Sequence, residues 1–325
     1  MAVFTLIQEC DAQAFVCRYM PGARLIALEP IAAGIENTNY HLHLLVAGEP
    51  HRLVLTIFEM LGAGELEPVL AFMHHLAAAG LPVPAPLPAL DGDPIGELQG
   101  KPAVLVPFVG GCSVLEPSPE DCRVVARTLA LIHRTGRQFS MRRPAVRNLH
   151  WLVATLDMLR SLLPAPERTL LENEVAIQEG YAAKWSTLPG GWGHQDLFRD
   201  NVLMDTGRIT GVIDFYQACE EPYVLDLAVL INDWCVVPEH GFDLRRMGAV
   251  VAGYQDVRLL QPKERDLLPV ALRLAALRFW LSRSVTWYGD GYQHEVKRGD
   301  VRKDPLEMAR LCRFAAELPP IAFNE

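Results

Sequence analysis

The sequence predicts an α+β protein of two lobes, a small mixed β-sheet lobe followed by a larger and mostly helical lobe. Short alternating apolar runs are concentrated between residues 24 and 108, whereas helical periodicity dominates after residue 118. The pair Gly110-Gly111 lies where one pattern gives way to the other. We therefore divide the chain into a small lobe at residues 1–105, a hinge at 106–111 and a helical lobe at 112–325.

In the small lobe, helix and strand patterns alternate and are separated by turn residues. A helix over 65–79 ends at Gly80 and a proline-rich stretch, and residues 34–39 form a turn between two strands. The expected elements are a helix over 5–19, strands at Arg24–Pro30, 40–46 and 52–58, the helix over 65–79, a hairpin turn at 91–93 and a strand at 103–108.

In the second lobe, the first helix has a clear start signal. Ser118 suits an N-cap, Pro119 suits the first helical position, and the two acids that follow complement the helix dipole. Residues 202–215 are the one strongly β-like stretch of this lobe. Helices are expected over 119–135, 150–185, 243–257, 264–287 and 305–317.

Composition and charge exclude several classes of protein. The 325 residues are 50% hydrophobic and carry a formal net charge of -9, which argues against broad binding to nucleic acid or to anionic membranes. Seven scattered cysteines without a Cys-x-x-Cys pair indicate reduced thiols and no zinc ribbon. The N-terminus has no signal-peptide pattern, and no apolar run reaches the length of a membrane helix. We expect a cytoplasmic protein, and the sequence leaves its oligomeric state open.

The most informative segment begins at His194 and continues as Gln-Asp-Leu-Phe-Arg-Asp to Asn201, with an apolar strand ending at Asp214. This order of Asp, Asn and Asp is typical of magnesium-dependent phosphoryl transfer, which needs a carboxylate beside the acceptor hydroxyl and oxygen ligands for the metal. We predict Asp196 as the catalytic base and Asn201 and Asp214 as Mg²⁺ ligands.

Four further residues have less specific roles. Arg199 lies within the loop and is a candidate catalytic residue, because a guanidinium can contact a phosphate or a substrate carboxylate. His194 and Asp226 are expected to brace the loop by hydrogen bonds. Arg283, which shares a predicted helix with Arg278 and Trp287, is expected to have a structural or surface role.

The turn at 34–39 is a candidate phosphate-facing loop. Gly34 permits close backbone approach, and the side chains of Asn37, Thr38 and Asn39 can donate to phosphate oxygens. A Walker A loop is excluded, because the nearest match, at residues 96–102, has the wrong spacing and no Ser or Thr after its lysine.

Taken together, these segments resemble the homoserine kinases of the aminoglycoside phosphotransferase and choline kinase superfamily. The resemblance runs over nearly the whole chain. The catalytic loop is common to the superfamily, whereas Gly-Ile-Glu-Asn-Thr-Asn-Tyr at 34–40 and Asn-Asp-Trp-Cys at 232–235 are similar to this branch in particular. Further matching segments are residues 53–59, 193–203, 211–216 and 226–228.

The resemblance implies a protein-kinase-like bilobal fold and the ATP-dependent phosphorylation of L-homoserine, a step towards threonine. It implies that the small lobe binds ATP, with residues 34–39 over the phosphates and with Val106 and Phe108 in the strand and hinge that hold adenine. The helical lobe would carry the catalytic residues and the acceptor site. Glu65 falls where the superfamily usually carries an ion-pairing glutamate.

One position departs from the superfamily pattern. The third strand of the fold usually offers a lysine to the nucleotide phosphates, but this chain has Thr56 there, and Lys101 is the only lysine in the small lobe. Threonine fits the homoserine kinase branch, yet it leaves the phosphate contact unassigned and the role of Glu65 open. Magnesium or a group of backbone amides would have to replace a charge-assisted bond of ~1.5–3 kcal/mol.

Two other functions stay open at this stage. The chain could phosphorylate another small alcohol such as choline or an aminoglycoside, for which Glu220 and Glu221 are a weak indication. Arg199 and Arg283 favour an acceptor with a carboxylate instead. A nucleotide-binding regulator without catalysis is the third hypothesis, motivated by Thr56 and opposed by the complete set of Asp196, Asn201 and Asp214.

Overall fold

The computed structural model describes residues 4–32, 36–289 and 303–319. The chain divides into two compact units, of which the first comprises Met1–Gly111 with Thr210–Tyr216 and the second comprises Cys112–Ile209 with Gln217–Glu325. The boundary after Gly111 falls at the end of the segment 106–111 that we predicted as a hinge. The first unit also takes a short piece of the later chain, which no sequence pattern indicated.

The first unit is built on one antiparallel sheet with the strand order β1-β2-β3-β5-β4. Buried side chains alternate along β2, and they pack with the apolar face of α1 into a single hydrophobic core. The elements of this unit are α1 (Glu9–Tyr19), β1 (Arg24–Pro30), β2 (Thr38–Val46), β3 (Glu49–Ile57), α2 (Ala63–Ala78), β4 (Gly96–Leu98) and β5 (Lys101–Pro107).

Three predictions for the first unit require correction. The first helix begins at Glu9 and not at residue 5, because Gln8 has an extended backbone (φ -92°, ψ 159°) and forms the N-cap. Strand β2 begins at Thr38, so the predicted turn at 34–39 is shorter than expected. A turn is present at the predicted position 91–93, where the Gly92 N–H donates to the Ala89 carbonyl (2.9 Å), but the hairpin that joins two strands, β4 and β5, turns at Gln99-Gly100, where both φ angles are positive (52° and 76°).

The second unit is mainly helical, with short two-stranded ribbons between the helices. The sheet pairs are β6 with β9, β7 with β8 and β10 with β11. The elements are α3 (Pro119–Gly136), α4 (Leu149–Leu159), α5 (Ala165–Gly180), α6 (Ala182–Trp185), β6 (Gly190–Gly193), β7 (Val202–Asp205), β8 (Arg208–Val212, which continues into the first unit), β9 (Cys219–Pro222), α7 (Tyr223–Trp234), β10 (Val236–Val237), β11 (Gly241–Phe242), α8 (Leu244–Gln255), α9 (Pro262–Tyr288) and α10 (Pro305–Ala316).

Two differences from the predicted helices have physical causes. The helix expected over 150–185 is divided into α4, α5 and α6, and Pro164 lies at the N-terminal boundary of α5. Helix α7 was not predicted, because nearly all its residues are buried and it therefore lacks an amphipathic period. Among the described helices, none is both long and apolar enough to cross a membrane.

Candidate functional site

The predicted catalytic loop follows β6 in the second unit, and a buried carboxylate on α7 fixes its backbone. Asp226 is fully buried and accepts hydrogen bonds from the backbone N–H groups of His194 (2.6 Å) and Gln195 (2.8 Å). Gln195 has a left-handed backbone, with φ 64°. A side chain at Gly193 would collide with the Asp226 carboxylate, so this position requires glycine. Asp226 therefore has the bracing role that the sequence predicted.

Behind Asp226, a buried chain of polar side chains extends away from the loop. His133 Nε2 lies 2.9 Å from the Asp226 carboxylate, and His133 Nδ1 lies 2.7 Å from the Tyr254 hydroxyl. Arg258 donates to Tyr254 (3.1 Å) and to both oxygens of Glu264 (2.9 and 3.0 Å). Burial lowers the pKa of His133, and the Asp226 charge opposes that shift. No motif in the sequence indicated His133, Tyr254 or Arg258.

The candidate base and one candidate metal ligand are hydrogen-bonded to each other. Asn201 Nδ2 donates to the backbone carbonyl of Asp196 (2.8 Å) and to its Oδ2 (3.1 Å). The Asp196 N–H donates to His194 Nδ1 (3.3 Å), so His194 braces the loop as predicted. A short 3₁₀ turn, Arg199–Asn201, places Asn201 at the start of β7. The structure thus brings Asp196 and Asn201 together, as their spacing indicated.

Arg199 is held by groups of its own unit. Its backbone N–H and Nε both donate to Asp233 Oδ2 (2.7 and 3.0 Å), and its Nη1 donates to the Leu115 carbonyl (2.6 Å). These contacts connect the catalytic loop to the C-terminal part of α7. They give Arg199 a positioning role, and its catalytic role stays a prediction.

Asp214 lies in the first unit, two residues after β8, and it has a positive φ of 62°. The two aromatic residues that follow it are buried against the same unit. Phe215 packs edge-on against Phe72 (ring centroids 6.2 Å apart), and Tyr216 packs edge-on against Phe58 (4.6 Å). These contacts hold the backbone at Asp214 in a conformation that is uncommon for residues other than glycine.

Of the predicted phosphate loop, Gly34 lies outside the described residues, and Asn37 precedes β2. The Thr38 side chain is fully buried: its hydroxyl accepts from the backbone N–H groups of Phe4 (2.9 Å) and Thr5 (3.0 Å), and it donates to Glu59 (2.6 Å). Lys101 also pairs with Glu59. Burial raises the pKa of Glu59, but the bonds from Lys101, Thr38 and Thr5 together hold that pKa below its ordinary value.

Thr56, which replaces the usual lysine, is engaged in a hydrogen-bonded cluster on β3. Its hydroxyl donates to Asn39 Oδ1 (2.7 Å), and it also bonds to the Tyr216 hydroxyl. Burial raises the pKa of Tyr216 strongly, and the nearby Asp214 charge adds to that effect. Glu65 accepts from the backbone N–H of Gly62 (3.0 Å) and thereby caps α2.

The two residues predicted to hold adenine lie at the end of β5. Val106 is buried and pairs with Val54. The ring of Phe108 lies under the Arg52 guanidinium (3.6 Å to the ring centroid) and edge-on to His41 (5.5 Å). Their contact with a nucleotide stays a prediction.

The composition of the donor set fits a magnesium ion. Mg²⁺ prefers oxygen ligands and takes few of them from protein. Within the described residues, no group of three or more His, Cys, Asp or Glu side chains is arranged to hold a metal. Both contacts of the Asn201 amide use Nδ2, so its Oδ1 has no partner in that part of the chain and can serve as a ligand.

Comparison with known proteins gives consistent matches over most of the chain. A family model described as "Phosphotransferase enzyme family" matches residues 27–260. The homoserine kinase of Cupriavidus metallidurans is 40% identical over 296 residues, which are 89% of this chain and 90% of that protein. The homoserine kinase of Methylobacillus flagellatus is 37% identical over 315 residues, which are 97% of this chain and 95% of that protein.

Solved structures of similar fold have much lower sequence identity. An amicoumacin kinase in complex with AMP-PNP, Ca²⁺ and Ami has a TM-score of 0.69 and 17% identity, with 96% of this chain and 93% of that chain covered. A microcompartment-associated aminopropanol kinase has a TM-score of 0.66 and 21% identity, with 95% and 94% covered. At such identities the likeness concerns the fold, and it agrees with the α+β kinase-like fold that the sequence predicts.

Proposed function

The chain belongs to the phosphotransferase enzyme family, and we propose that it transfers the terminal phosphoryl group of ATP to the side-chain hydroxyl of L-homoserine. The products are ADP and O-phospho-L-homoserine. Homoserine kinases 37–40% identical over most of the chain support this acceptor. The observation that carries the chemistry is the hydrogen-bonded pair of Asp196 and Asn201 in a loop whose backbone is fixed by buried Asp226.

Asp196 acts as the general base. As the homoserine oxygen bonds to phosphorus and the bond from phosphorus to ADP breaks, the hydroxyl proton passes to the Asp196 carboxylate. Asn201 Nδ2 and the two backbone bonds to Asp226 hold the carboxylate and its peptide in one orientation. Because the carboxylate has this orientation before the substrate binds, the reaction does not have to overcome the entropy cost of ordering it.

Asn201 Oδ1 and the Asp214 carboxylate are the proposed protein ligands of Mg²⁺. When bound, the ion neutralises charge on the phosphate oxygens. The two polar atoms of the Asn201 amide have different roles: Nδ2 orients Asp196, and Oδ1 is available to bind a metal.

For the nucleotide, we propose that residues 34–39 cover the phosphates and that Val106 and Phe108 contact adenine. Gly34, Asn37 and Asn39 are the direct candidates in the loop. Thr38 contributes indirectly, because its buried hydroxyl bonds tie the first residue of β2 to Glu59 and to the N-terminal segment. We also propose a cytoplasmic location, which suits an ATP-dependent enzyme whose seven cysteines are all free thiols.

ADP release by the purified full-length protein tests this function. The assay contains ATP with Mg²⁺ and one acceptor at a time, namely L-homoserine, choline or an aminoglycoside. We expect turnover with L-homoserine alone. Turnover only with another alcohol would show that L-homoserine is not the acceptor, while phosphoryl transfer would still be the reaction. If no acceptor supports turnover, a regulator without catalysis would be favoured.

A further inference from the structure

A small cavity of about 50 Å³ lies beside the catalytic loop within the second unit. Phe198, two residues after Asp196, forms part of its wall together with residues of α7 and α9 and with Lys303. The volume corresponds to a few water molecules, since one water needs roughly 10–15 Å³ on this measure. A cavity of this size admits a group of a few non-hydrogen atoms and not a whole aminoglycoside.

Asn232, on α7, supplies an acceptor that lacks a partner. The residue is only 7% exposed, and its Nδ2 donates to the Leu272 carbonyl (2.9 Å). Its Oδ1 has no hydrogen-bond partner in the part of the chain that the structure describes. A buried acceptor without a donor costs free energy, so this atom in the cavity wall needs a donor, which a water or the donor group of a ligand supplies.

Two cations lie in the same wall. Arg283 is 15% exposed at its side chain, and its contacts with the Asp304 carbonyl (3.1 Å) and Glu307 (2.9 Å) both use Nη1. The Lys303 ammonium lies 3.7 Å from Asp200 and 5.7 Å from the centroid of the Phe198 ring. Within the described residues, the other nitrogens of the Arg283 guanidinium have no partner, which leaves donors for an anion.

The cavity wall also contains an acidic side chain, which affects its net charge, and aromatic rings, which give it an apolar surface. Asp233 belongs to the lining and is paired with Arg199 (3.0 Å), so its charge is balanced within the catalytic loop. Glu307, the acid paired with Arg283, is half exposed. The rings of Phe198 and Phe279 pack against each other (4.8 Å between centroids) and present an apolar surface suited to methylene groups.

We propose that this cavity binds the α-amino-acid head of the acceptor, an inference that rests on the proposed homoserine kinase activity. Arg283 and Lys303 pair with the α-carboxylate, and Asn232 Oδ1 accepts from the α-ammonium. The rings of Phe198 and Phe279 contact the methylene carbons. Recognition of both charged groups selects an amino-acid alcohol over choline, which has no carboxylate, and over an aminoglycoside, which is larger.

Two acceptor analogues test the two halves of this site. 3-Amino-1-propanol is homoserine without its carboxylate, and 4-hydroxybutanoate is homoserine without its amine. We compare kcat/KM for each analogue and for L-homoserine in the wild type and in Arg283→Met, Lys303→Met and Asn232→Leu. Arg310→Met is the matched control, because Arg310 lies on α10 outside the cavity and pairs with Glu239 (3.7 Å).

For Arg283→Met, we expect kcat/KM with L-homoserine to fall ~10–100-fold and kcat/KM with 3-amino-1-propanol to change less than about 3-fold. Lys303→Met should lower the ratio of kcat/KM with L-homoserine to kcat/KM with 3-amino-1-propanol by a smaller factor than Arg283→Met does, because the Lys303 ammonium is more exposed. For Asn232→Leu, the fall with L-homoserine should exceed the fall with 4-hydroxybutanoate by roughly tenfold. Arg310→Met should leave unchanged both the ratio of kcat/KM with L-homoserine to that with 3-amino-1-propanol and the ratio of kcat/KM with L-homoserine to that with 4-hydroxybutanoate.

Each ratio compares two acceptors in one preparation, so a lower folded fraction cancels. If the wild type phosphorylates L-homoserine but the ratios do not move in the Arg283 and Asn232 variants, the site assignment is overturned and the activity stands. If the wild type does not phosphorylate L-homoserine, the proposed function fails and the site assignment fails with it.

Discussion

His133 and Asp226 form a fully buried pair, with 2.9 Å between the ring Nε2 and the carboxylate. A neutral ring satisfies both of its neighbours, because Nε2–H donates to Asp226 while Nδ1 accepts from Tyr254 (2.7 Å). The tautomer follows from these partners. Since Asp226 also accepts from the backbone of the catalytic loop, the charge state of His133 bears on the stability of the site.

The pair predicts how stability depends on pH. Burial lowers the pKa of His133 below its ordinary value of 6.5, so near that pH the unfolded chain binds more protons than the folded one. The contribution of neutral His133 to the free energy of unfolding is therefore complete above pH 6.5. It is lost as the pH falls from 6.5 towards the lower pKa of His133 in the folded state. Between about pH 7 and about pH 5, urea denaturation should show a steeper loss of unfolding free energy in the wild type than in His133→Gln. Equal slopes would contradict this account.

Asp226→Asn should damage both stability and turnover. The substitution replaces one acceptor oxygen by an NH₂ group, so a backbone N–H of the loop loses its partner. We expect unfolding free energy to fall by ~1–3 kcal/mol, as for an unsatisfied buried donor. The displaced loop should lower kcat by about 10²-fold with less change in the KM for ATP. The matched control is Asp266→Asn at an exposed position of α9, and equal effects in the two variants would refute the bracing role.

Removing the candidate base should separate catalysis from folding. In Asp196→Asn we expect kcat to fall ~10²–10⁴-fold, the usual contribution of general-base assistance. Thermal unfolding and the binding of an ATP analogue should remain close to those of the wild type. Asp205→Asn, at an exposed position at the end of β7, should retain full activity. An Asp196→Asn protein with wild-type kcat would show that another group accepts the proton.

Thr56 offers a test of the hydrogen-bonded cluster on β3. Thr56→Val keeps the shape of the side chain but removes the hydroxyl that bonds to Asn39 and Tyr216. Because Thr56 is only 3% exposed, the lost bond should lower the unfolding free energy by about 1–2 kcal/mol in chemical denaturation. Thr169→Val, at an exposed site on α5, should have little effect. If Thr56→Val is as stable as the wild type, the cluster does not stabilise the first unit.

The local parts of the site could be predicted from the sequence, because their geometry depends on residues close together in the chain. Asp196 and Asn201 are five positions apart, and their hydrogen bond agrees with the spacing. His133 is separated from Asp226 by 93 positions and from Tyr254 by 121, so no local pattern joins them. A polar residue among the apolar positions of α3 was the only available signal for His133.

The limits of sequence patterns are clearest at α7 and at Thr38. Helix α7 carries both Asp226 and Asn232, yet burial on all sides removes the periodicity by which helices are recognised. The residue type of Thr38 suits a phosphate-facing loop, but its hydroxyl is occupied by Glu59 and by the N-terminal segment. Composition identifies a potential donor, and only the fold determines which partner that donor has.

The threonine at position 56 has a consequence for chemical proteomics. Acylating derivatives of ATP react with lysine amines, and the lysine that protein kinases carry on the third strand lies at the nucleotide phosphates. Here that strand presents a hydroxyl, and the only lysine of residues 1–111, Lys101, is held in an ion pair with Glu59. In this chain such labelling would therefore lack its usual target, the lysine of the third strand.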